Sequence, residues 1–380
     1  MLTIDEAGGR VILHGPDGSQ AEHALDTPDA FEAVSAAWLR CGWDVKYVYG
    51  FTWMGRPIIQ LPEDMIRMQE IIWRVRPDVI VETGVAHGGS LVFYAMVDIR
   101  DQAAIAALLR EARPEIVLHM AAQPLVRRSL ADPVESFAVN VLGTVNLLQA
   151  LRETPPRAVL VVTTDKVYAP PPAPRPHPET DPLGGADPYA ASKAACEIAT
   201  ASMARNFLEP AGTRVATARA GNVIGGGDFA PDRLIPDIIR ATQPPTIRHP
   251  NATRPWQHVL DCLCGYLLYA EALAQGRTVP PALNFGPAET QPASVGTIAA
   301  AMLAAMDRPP TWIGNETTDA RETQELALDS SLARKTLNWR DRLGGPAVIE
   351  TTAAWYRAWM QGADMHDFTR HQIAAYEAMT

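Results

Sequence analysis

The sequence predicts an α/β fold in which a doubly wound parallel sheet is combined with a smaller C-terminal region. From residue 98 onward, short apolar runs alternate with helical patterns, the order expected of parallel βαβ units. Polar clusters follow three of the runs, and functional groups collect at the carboxyl ends of strands in such sheets. The predicted strands are 115–121, 158–164, 214–220 and 282–286.

The periodicity of apolar residues predicts the helices that separate and follow these strands. The proline-rich segment 169–178 can form neither helix nor ladder, because proline lacks a backbone N–H, so it is expected to be a surface loop. The regular alternation breaks down after about residue 225. The predicted helices are 101–112, 133–153, 188–207, 231–241, 258–274, 294–306 and 345–360.

Composition limits the possible functions before any motif is considered. The chain has 380 residues, 47% of them hydrophobic, which is enough for a sizeable core, and its net charge of −10 argues against nucleic-acid binding. There is no apolar run of about 18 residues and no secretory pattern at the start. The spacing of the four cysteines fits neither zinc nor disulfides, so we expect a cytoplasmic protein with reduced thiols and no metal site.

The most informative pattern is a tyrosine and a lysine on one helix, downstream of a polar strand end. Tyr189 and Lys193 are four residues apart and therefore share a helix face. An ammonium beside a phenol lowers the phenol pKa, which would let Tyr189 take a proton from a sugar hydroxyl while hydride leaves the same carbon. Thr164, Asp165 and Lys166 follow the strand 158–164. This combination indicates redox chemistry on a nicotinamide cofactor.

From about Asp98 to the C-terminus the chain resembles the extended short-chain dehydrogenase/reductase family, and within it the nucleotide-sugar 4,6-dehydratases. The resemblance implies a truncated Rossmann-like NAD-binding domain over 97–225. It implies that 226–380 is mainly a nucleotide-sugar-binding region, with some elements returning to the first domain. The segments that carry it are 120–127, 164–166, 181–185, 187–189, 254–260, 355–359 and 372–377.

The resemblance also implies a reaction, a lyase reaction of deoxysugar and O-antigen biosynthesis. Tyr189 takes the C4 hydroxyl proton as hydride passes to NAD, with Lys193 lowering its pKa and Thr164 bonded to the C4 oxygen. Asp165 is the acid for the C6 hydroxyl. Lys166 stands where relatives acting on dTDP-glucose have their glutamate base, which implies CDP-glucose as substrate and CDP-4-keto-6-deoxyglucose as product.

Further site residues and a homodimer are carried over from the same resemblance. Relatives pair through two helices each, and helices 133–153 and 188–207 match them. Besides Tyr189 and Lys193, the implied cofactor-binding residues are Asp98, Ile99, Ala121 and Ala122. The implied substrate-binding residues are Gln123, Asn222, Arg233, Arg254 and Arg321.

The first 96 residues do not follow this pattern. About residues 30–96 resemble the N-terminal part of the cephalosporin hydroxylase/rhamnosyl O-methyltransferase family, so 1–96 is interpreted as a methyltransferase-like fragment joined by gene fusion. The G-x-x-G-x-x-G fingerprint of the dehydratases is missing. The N-terminal strands of the sheet are therefore expected to be replaced or missing. Gly84, Gly88 and Gly89 form the loop that could hold NAD instead, beside a helix N-terminus.

Two other functions remain open at this stage. The chain could be a catalytically impaired fusion remnant that binds a nucleotide sugar or a partner, or an S-adenosylmethionine-dependent methyltransferase, although S-adenosylmethionine is not the cofactor we expect. Individual residues also have plainer interpretations. Asp165 could cap a turn, Lys166 could be a solvated neighbour, His119 could simply pack at a strand end, and Trp256 could stack on a ligand or pack.

Overall fold

The computed structural model describes two compact units, one within residues 2–58 and one over residues 97–379. The glycines of the 84–90 loop and Arg321 lie outside the described residues. No helix within the described ranges has both the length and the apolar character needed to cross a membrane. The described residues are 2–15, 19–44, 51–53, 56–58, 97–173, 175–288, 293–315 and 326–379.

The N-terminal unit contains a small antiparallel sheet that the sequence did not indicate. Its first 30 residues read as polar and turn-rich, but β1 pairs with β2 and β2 with β3 in a three-stranded meander. Val11 in the central strand is fully buried. The elements are β1 (Leu2–Asp5), β2 (Arg10–His14), β3 (Gln20–Ala24), α1 (Pro28–Asp44), β4 (Phe51–Trp53) and β5 (Arg56–Ile58).

The larger unit is α/β, as the sequence predicts. Its helices are α2 (Gln102–Ala112), α3 (Val126–Ala131), α4 (Pro133–Phe137), α5 (Gly143–Ala150), α6 (Pro188–Met203), α7 (Leu234–Arg240), α8 (Val259–Ala274), α9 (Val295–Ala305), α10 (Ser331–Leu337), α11 (Pro346–Met360) and α12 (Met365–Glu377). Its strands are β6 (Ile116–His119), β7 (Ala158–Val162), β8 (Arg214–Ala220), β9 (Val223–Ile224), β10 (Thr246–Arg248), β11 (Thr253–Arg254), β12 (Gln257–His258), β13 (Ala282–Phe285), β14 (Ala293–Ser294) and β15 (Ile313–Asn315).

Four strands form one parallel sheet in the order β13-β8-β7-β6. These are the four predicted strands, each within a few residues of its predicted bounds. Within the described residues β6 pairs with β7 alone and is the last strand of this order. The carboxyl ends of all four strands lie at one edge, where the sequence places its polar clusters.

Helices cover both faces of this sheet, which confirms the doubly wound arrangement. Successive side chains of a strand point to opposite faces. Ala158 and Leu160 accordingly pack in a cluster with α8 and α10, whereas Val159 and Val161 pack with α2, α5 and α6. All four side chains are fully buried, and burying a large apolar side chain contributes about 1.5–3 kcal/mol.

A separate apolar core lies among the elements beyond the sheet. It joins α7, α9 and α11 through buried side chains that include Ile238, Met302 and Tyr356. This second core supports a distinct C-terminal region, while the exact division at 96/97 and 225/226 stays a prediction. The structure adds α3, α10 and α12 to the predicted helices. It also replaces the predicted helix 133–153 by α4, a π-helical stretch and α5.

Candidate active site

The turn that follows β7 carries three of the predicted catalytic residues. Thr164 is extended and its hydroxyl accepts a hydrogen bond from the Lys166 backbone N–H, which caps a short 3-10 turn over Asp165–Val167. The Thr164 hydroxyl donates to Asp165 Oδ1 at 3.0 Å. Thr164 and Asp165 are buried, whereas Lys166 is partly exposed. The capping group is therefore Thr164 and not Asp165, so the interpretation of Asp165 as a turn cap is wrong.

Helix α6 brings Tyr189 and Lys193 to the same edge of the sheet. The Asp187 side chain accepts from the Ala190 N–H at 2.8 Å and caps the helix, and Pro188 occupies the first turn, where its missing N–H costs nothing. The Tyr189 backbone N–H donates to Ser129 Oγ at 3.1 Å. Tyr189 is therefore fixed within the first turn of α6.

The electrostatic role predicted for Lys193 is not what the structure shows. Its Nζ donates to the Val162 carbonyl oxygen at 2.7 Å, at the end of β7. Burial is the largest influence on the phenol of Tyr189 and raises its pKa to about 12. A side-chain hydrogen bond with Thr164 and the charge of Arg233 oppose that rise. The groups that favour the phenolate here are thus Thr164 and Arg233.

Asp165 is a buried carboxyl group whose pKa is raised above its ordinary value. Burial is the largest influence on it and raises its pKa, although the charges of Lys166 and Arg254 oppose the rise. Its Oδ2 is buried without a hydrogen-bond partner in the described residues. A Cβ added to Gly221 would lie 3.2 Å from this oxygen and 2.5 Å from Pro255 Cγ. A residue without a side chain at 221 therefore leaves room beside Asp165.

His119 is a packed strand-end residue, which confirms the plainer interpretation. It is buried at the end of β6 with its Nε2 2.8 Å from Thr144 Oγ1. Burial, followed by the charge of Lys193, lowers the pKa of His119 to about 3. Burial likewise lowers the pKa of His258 to about 4. Neither imidazole is charged in the folded protein near neutral pH.

The two buried histidines make the protein sensitive to acid. An unfolded histidine has a pKa of about 6.5, so between that value and the folded pKa the unfolded chain binds more protons, and the free energy of unfolding falls as the pH falls. We expect each of His119 and His258 to cost about 2 kcal/mol of stability between pH 7.5 and pH 5. Urea unfolding at both pH values measures this change in the free energy of unfolding. In His119→Gln the part of the change that comes from His119 should disappear. An unchanged pH dependence in that variant would contradict the assignment.

The loop after β6 is held by a buried amide network. Asn140 Oδ1 accepts from the Gln123 N–H at 2.8 Å, and Asn140 Nδ2 donates to the Gln123 carbonyl and to Ser192 Oγ. The Gln123 side chain donates to Ser136 Oγ and accepts from the Leu125 N–H. This network ties the loop to α6. The Gln123 amide is therefore engaged within the fold, and its contact with substrate stays a prediction.

Three of the residues predicted to bind the substrate lie around the same strand ends. Arg254 is buried and close enough to Asp165 to lower its pKa. Arg233 pairs with Asp228 at 3.3 Å, and its charge acts to lower the pKa of the Tyr189 phenol. Asn222 is half-buried just beyond β8. The structure thus brings two of the predicted arginines close to the catalytic groups.

A cavity of about 510 Å³ borders Arg254 on the side of the C-terminal core. Trp256 lines it, and its indole N–H donates to the Ala293 carbonyl oxygen at 3.1 Å. Trp256 is thus bonded within the fold at the wall of this cavity, which is compatible with both of its interpretations. Tyr189 and Asp165 do not line the cavity.

Two of the predicted cofactor-binding residues, Asp98 and Ile99, lie before α2. The Asp98 carboxylate pairs with Arg100, with Nη2 2.6 Å from Oδ2, and Ile99 packs flat on Gly143 at the start of α5. Ala121 and Ala122 are half-buried in the loop after β6. Glu197 was not among the predicted site residues. Its position on α6, one turn after Lys193, is the feature of the sequence that could have indicated it.

Comparison with known proteins agrees with this geometry. The model of the "NAD dependent epimerase/dehydratase family" matches residues 67–286. CDP-glucose 4,6-dehydratase of Salmonella typhimurium is 38% identical over 293 residues, covering 74% of this chain and 82% of that protein. UDP-glucose 4-epimerase of Mycolicibacterium smegmatis is 30% identical over 275 residues, covering 70% of this chain and 82% of that protein.

Solved structures show the same fold. The dTDP-glucose 4,6-dehydratase DesIV from Streptomyces venezuelae, solved with NAD and TYD bound, has a TM-score of 0.63 at 23% identity and covers 79% of this chain and 95% of its own. The match of the family model over more than half of the chain and the 38% identity to a relative show the family. The chain belongs to the NAD dependent epimerase/dehydratase family.

Proposed function

We propose that the protein is an NAD-dependent nucleotide-sugar 4,6-dehydratase that converts CDP-glucose to CDP-4-keto-6-deoxyglucose. The observation that carries the proposal is the meeting of Tyr189, Thr164 and a buried, partly unpartnered Asp165 at one strand end. The similarity to a CDP-glucose 4,6-dehydratase supports CDP-glucose as the substrate.

The first step is oxidation at C4 of the glucosyl group. Tyr189 accepts the C4 hydroxyl proton, and Thr164 bonds the C4 oxygen. Thr164 and Arg233 both lower the Tyr189 pKa and thereby favour the phenolate that this step needs. Lys193, bonded to the Val162 carbonyl, holds α6 against β7 and so keeps the phenol at the strand end.

The second step is elimination of water across C5 and C6. The C4 ketone acidifies the C5 hydrogen, which Lys166 removes as the base in this proposal. Asp165, whose pKa is raised by burial, keeps a proton to give to the departing C6 hydroxyl. The unpartnered Oδ2 is the atom available for that transfer.

NAD is the proposed cofactor, and the described residues fit its reactive half. The loop after β6, with Ala121 and Ala122, is tied to α6 by the Asn140 network, and Lys193 lies close enough to influence His119. These residues, with Tyr189, Asp98 and Ile99, are proposed to hold it, together with Gly84, Gly88 and Gly89. When bound, NAD would supply the acceptor for the C4 hydride and the donor of hydride to C6.

The substrate diphosphate is proposed to meet Asn222, Arg233, Arg254 and Arg321. A guanidinium group offers paired N–H donors that match phosphate oxygens. Arg233, which pairs with Asp228, is partly exposed, so an anion can reach its guanidinium group. This assignment places the glucosyl group between the arginines and Tyr189.

The experiment that tests this function is a mass-spectrometric assay of the purified protein with CDP-glucose and NAD. The expected result is loss of one water from the sugar nucleotide, with dTDP-glucose as the comparison substrate. Absence of product from folded protein would contradict the proposal. It would favour the remnant that binds nucleotide sugar without turning it over.

Replacement of Asp165 by asparagine separates the two halves of the reaction. Asparagine can still bond Thr164 but cannot protonate the C6 hydroxyl, so we expect turnover to fall by about 10²–10⁴-fold. Oxidation at C4 should survive, and reduced nicotinamide should therefore accumulate in a single-turnover absorbance measurement. If Asp165→Asn turns over normally, another group is the acid.

We propose further that the protein is a homodimer that pairs through α4, α5 and α6. Three large apolar side chains are exposed here: Val134 on α4 at 77%, Leu142 at the end of the π-helical stretch before α5 at 60%, and Ile198 on α6 at 61%. Apolar side chains grouped on adjacent surface helices are typical of a protein–protein interface. A second copy of the chain would cover them by a self-complementary contact.

The substitution Ile198→Asp should convert the dimer to a monomer. A charge at the centre of an apolar interface must be desolvated without a partner, which opposes association. Light scattering coupled to size-exclusion chromatography measures the mass. Leu267→Asp is the matched control, because Leu267 is exposed on α8, on the opposite face of the sheet. Dissociation by both variants, or by neither, would contradict this surface.

A further inference from the structure

A buried carboxylate lies on α6 one helical turn beyond Lys193, and the reaction steps above do not use it. Glu197 and its partner Arg219, at the end of β8, are both about 4% exposed. Arg219 Nε donates to the two Glu197 oxygens at 2.8 and 3.0 Å, and its Nη2 bonds Oε2 as well. The other side of the guanidinium donates to Tyr168 OH at 2.7 Å. The carboxylate is thus fixed in place within the fold.

The same carboxylate accepts hydrogen bonds from two threonines. Thr163 Oγ1 donates to Glu197 Oε1 at 2.6 Å, and Thr217 Oγ1 donates to Oε2 at 3.3 Å. Thr217 lies within β8, whereas Thr163 directly precedes Thr164. Since Lys193 bonds the Val162 carbonyl, two side chains one turn apart on α6 hold consecutive residues at the end of β7.

We propose that Glu197 is a positioning residue for the catalytic turn. Through Thr163 it fixes where Thr164 and Asp165 stand relative to Tyr189, which begins the same helix. The inference rests on the proposed dehydratase function, because it assigns these groups to one reaction. A displacement of about 1 Å in reacting groups can lower the rate about 10²-fold. Loss of the hydrogen bond between Thr163 and Glu197 is therefore expected to have a large effect on the rate.

Two isosteric substitutions on the same carboxylate provide the test. Thr163→Val removes the bond from Glu197 to the strand end, and Thr217→Val removes one of its bonds to β8, while both leave the Glu197–Arg219 pair intact. We expect Thr163→Val to lower kcat at least about tenfold with KM within about threefold, since the substrate-binding groups are unaffected. Thr217→Val should change kcat less than about threefold. Thr163→Ser, which restores the hydroxyl, should recover most of the rate.

Hydrogen–deuterium exchange gives a readout that does not need turnover. Backbone amides of residues 164–168 should exchange faster in Thr163→Val and at the wild-type rate in Thr217→Val. Equal effects of the two variants on rate and exchange, or no recovery in Thr163→Ser, would overturn the assignment. If the wild-type protein does not turn over CDP-glucose, the proposed function fails, and the exchange comparison still decides whether Glu197 holds the turn.

Discussion

Tyr189→Phe is expected to abolish dehydration of CDP-glucose while leaving the fold intact. Phenylalanine keeps the ring that packs at the start of α6 but removes the oxygen that accepts the C4 proton. Loss of an acid–base group costs about 10²–10⁴-fold in rate. Because oxidation at C4 comes first, no reduced nicotinamide should appear in a single turnover. This separates Tyr189→Phe from Asp165→Asn, in which reduced nicotinamide should accumulate.

Tyr269→Phe is the matched control for this experiment. Tyr269 is a fully buried tyrosine on α8 whose hydroxyl bonds the Pro280 carbonyl oxygen, on the face of the sheet opposite α6. Its replacement should alter stability more than turnover. Circular dichroism and thermal unfolding check that both variants are folded. Retained turnover in Tyr189→Phe would remove Tyr189 from the mechanism.

Arg219→Met should destabilise the protein by about 3–5 kcal/mol, because it leaves the Glu197 carboxylate buried without its counter-charge. Both groups are almost completely buried, so solvent cannot replace the lost partner. Urea unfolding of wild-type and variant protein measures the difference. Removal of both charges in Arg219→Met combined with Glu197→Leu should recover much of the lost stability, since no buried charge is then unpaired.

The exposed pair Arg110–Glu153 supplies the control. Its side chains are more than half exposed, and exposed pairs contribute about 0–1 kcal/mol. Arg110→Met should therefore change the free energy of unfolding by less than about 1 kcal/mol. A double variant no more stable than Arg219→Met alone would show that the cost comes from packing and not from an unpaired charge.

The sheet of the larger unit could be predicted from the sequence because its strands are buried on both faces. A run such as Ala158–Val162 is then continuously apolar and is bounded by polar residues. The N-terminal meander could not be predicted, because its strands are not buried on both faces. Its third strand, Gln20–Ala24, is almost entirely exposed and has no apolar pattern. Helix α12 is similarly polar, with Tyr376 as its one buried residue within the described range.

The sequence predicts which residues meet at the candidate site, but it does not predict their electrostatics. Helical spacing places Tyr189 and Lys193 on one face, and that follows from local geometry. The direction of the Lys193 side chain depends on where the end of β7 lies, which local sequence does not determine. The direction in which the pKa of Tyr189 shifts depends on burial by segments that are distant in sequence. The contacts of Glu197 could not be predicted from local sequence, because its threonine and arginine partners lie on different strands of the sheet.

The order β13-β8-β7-β6 also has a consequence for how the protein folds. Each strand pair joins segments far apart in sequence: Ile116 pairs with Ala158, Ala158 with Arg214, and Thr217 with Ala282. Closing such long loops lowers the chain entropy before the strand contacts have formed to offset that cost. Chains of this topology therefore fold slowly. The apolar strands stay exposed meanwhile, so low temperature and slow synthesis favour soluble protein.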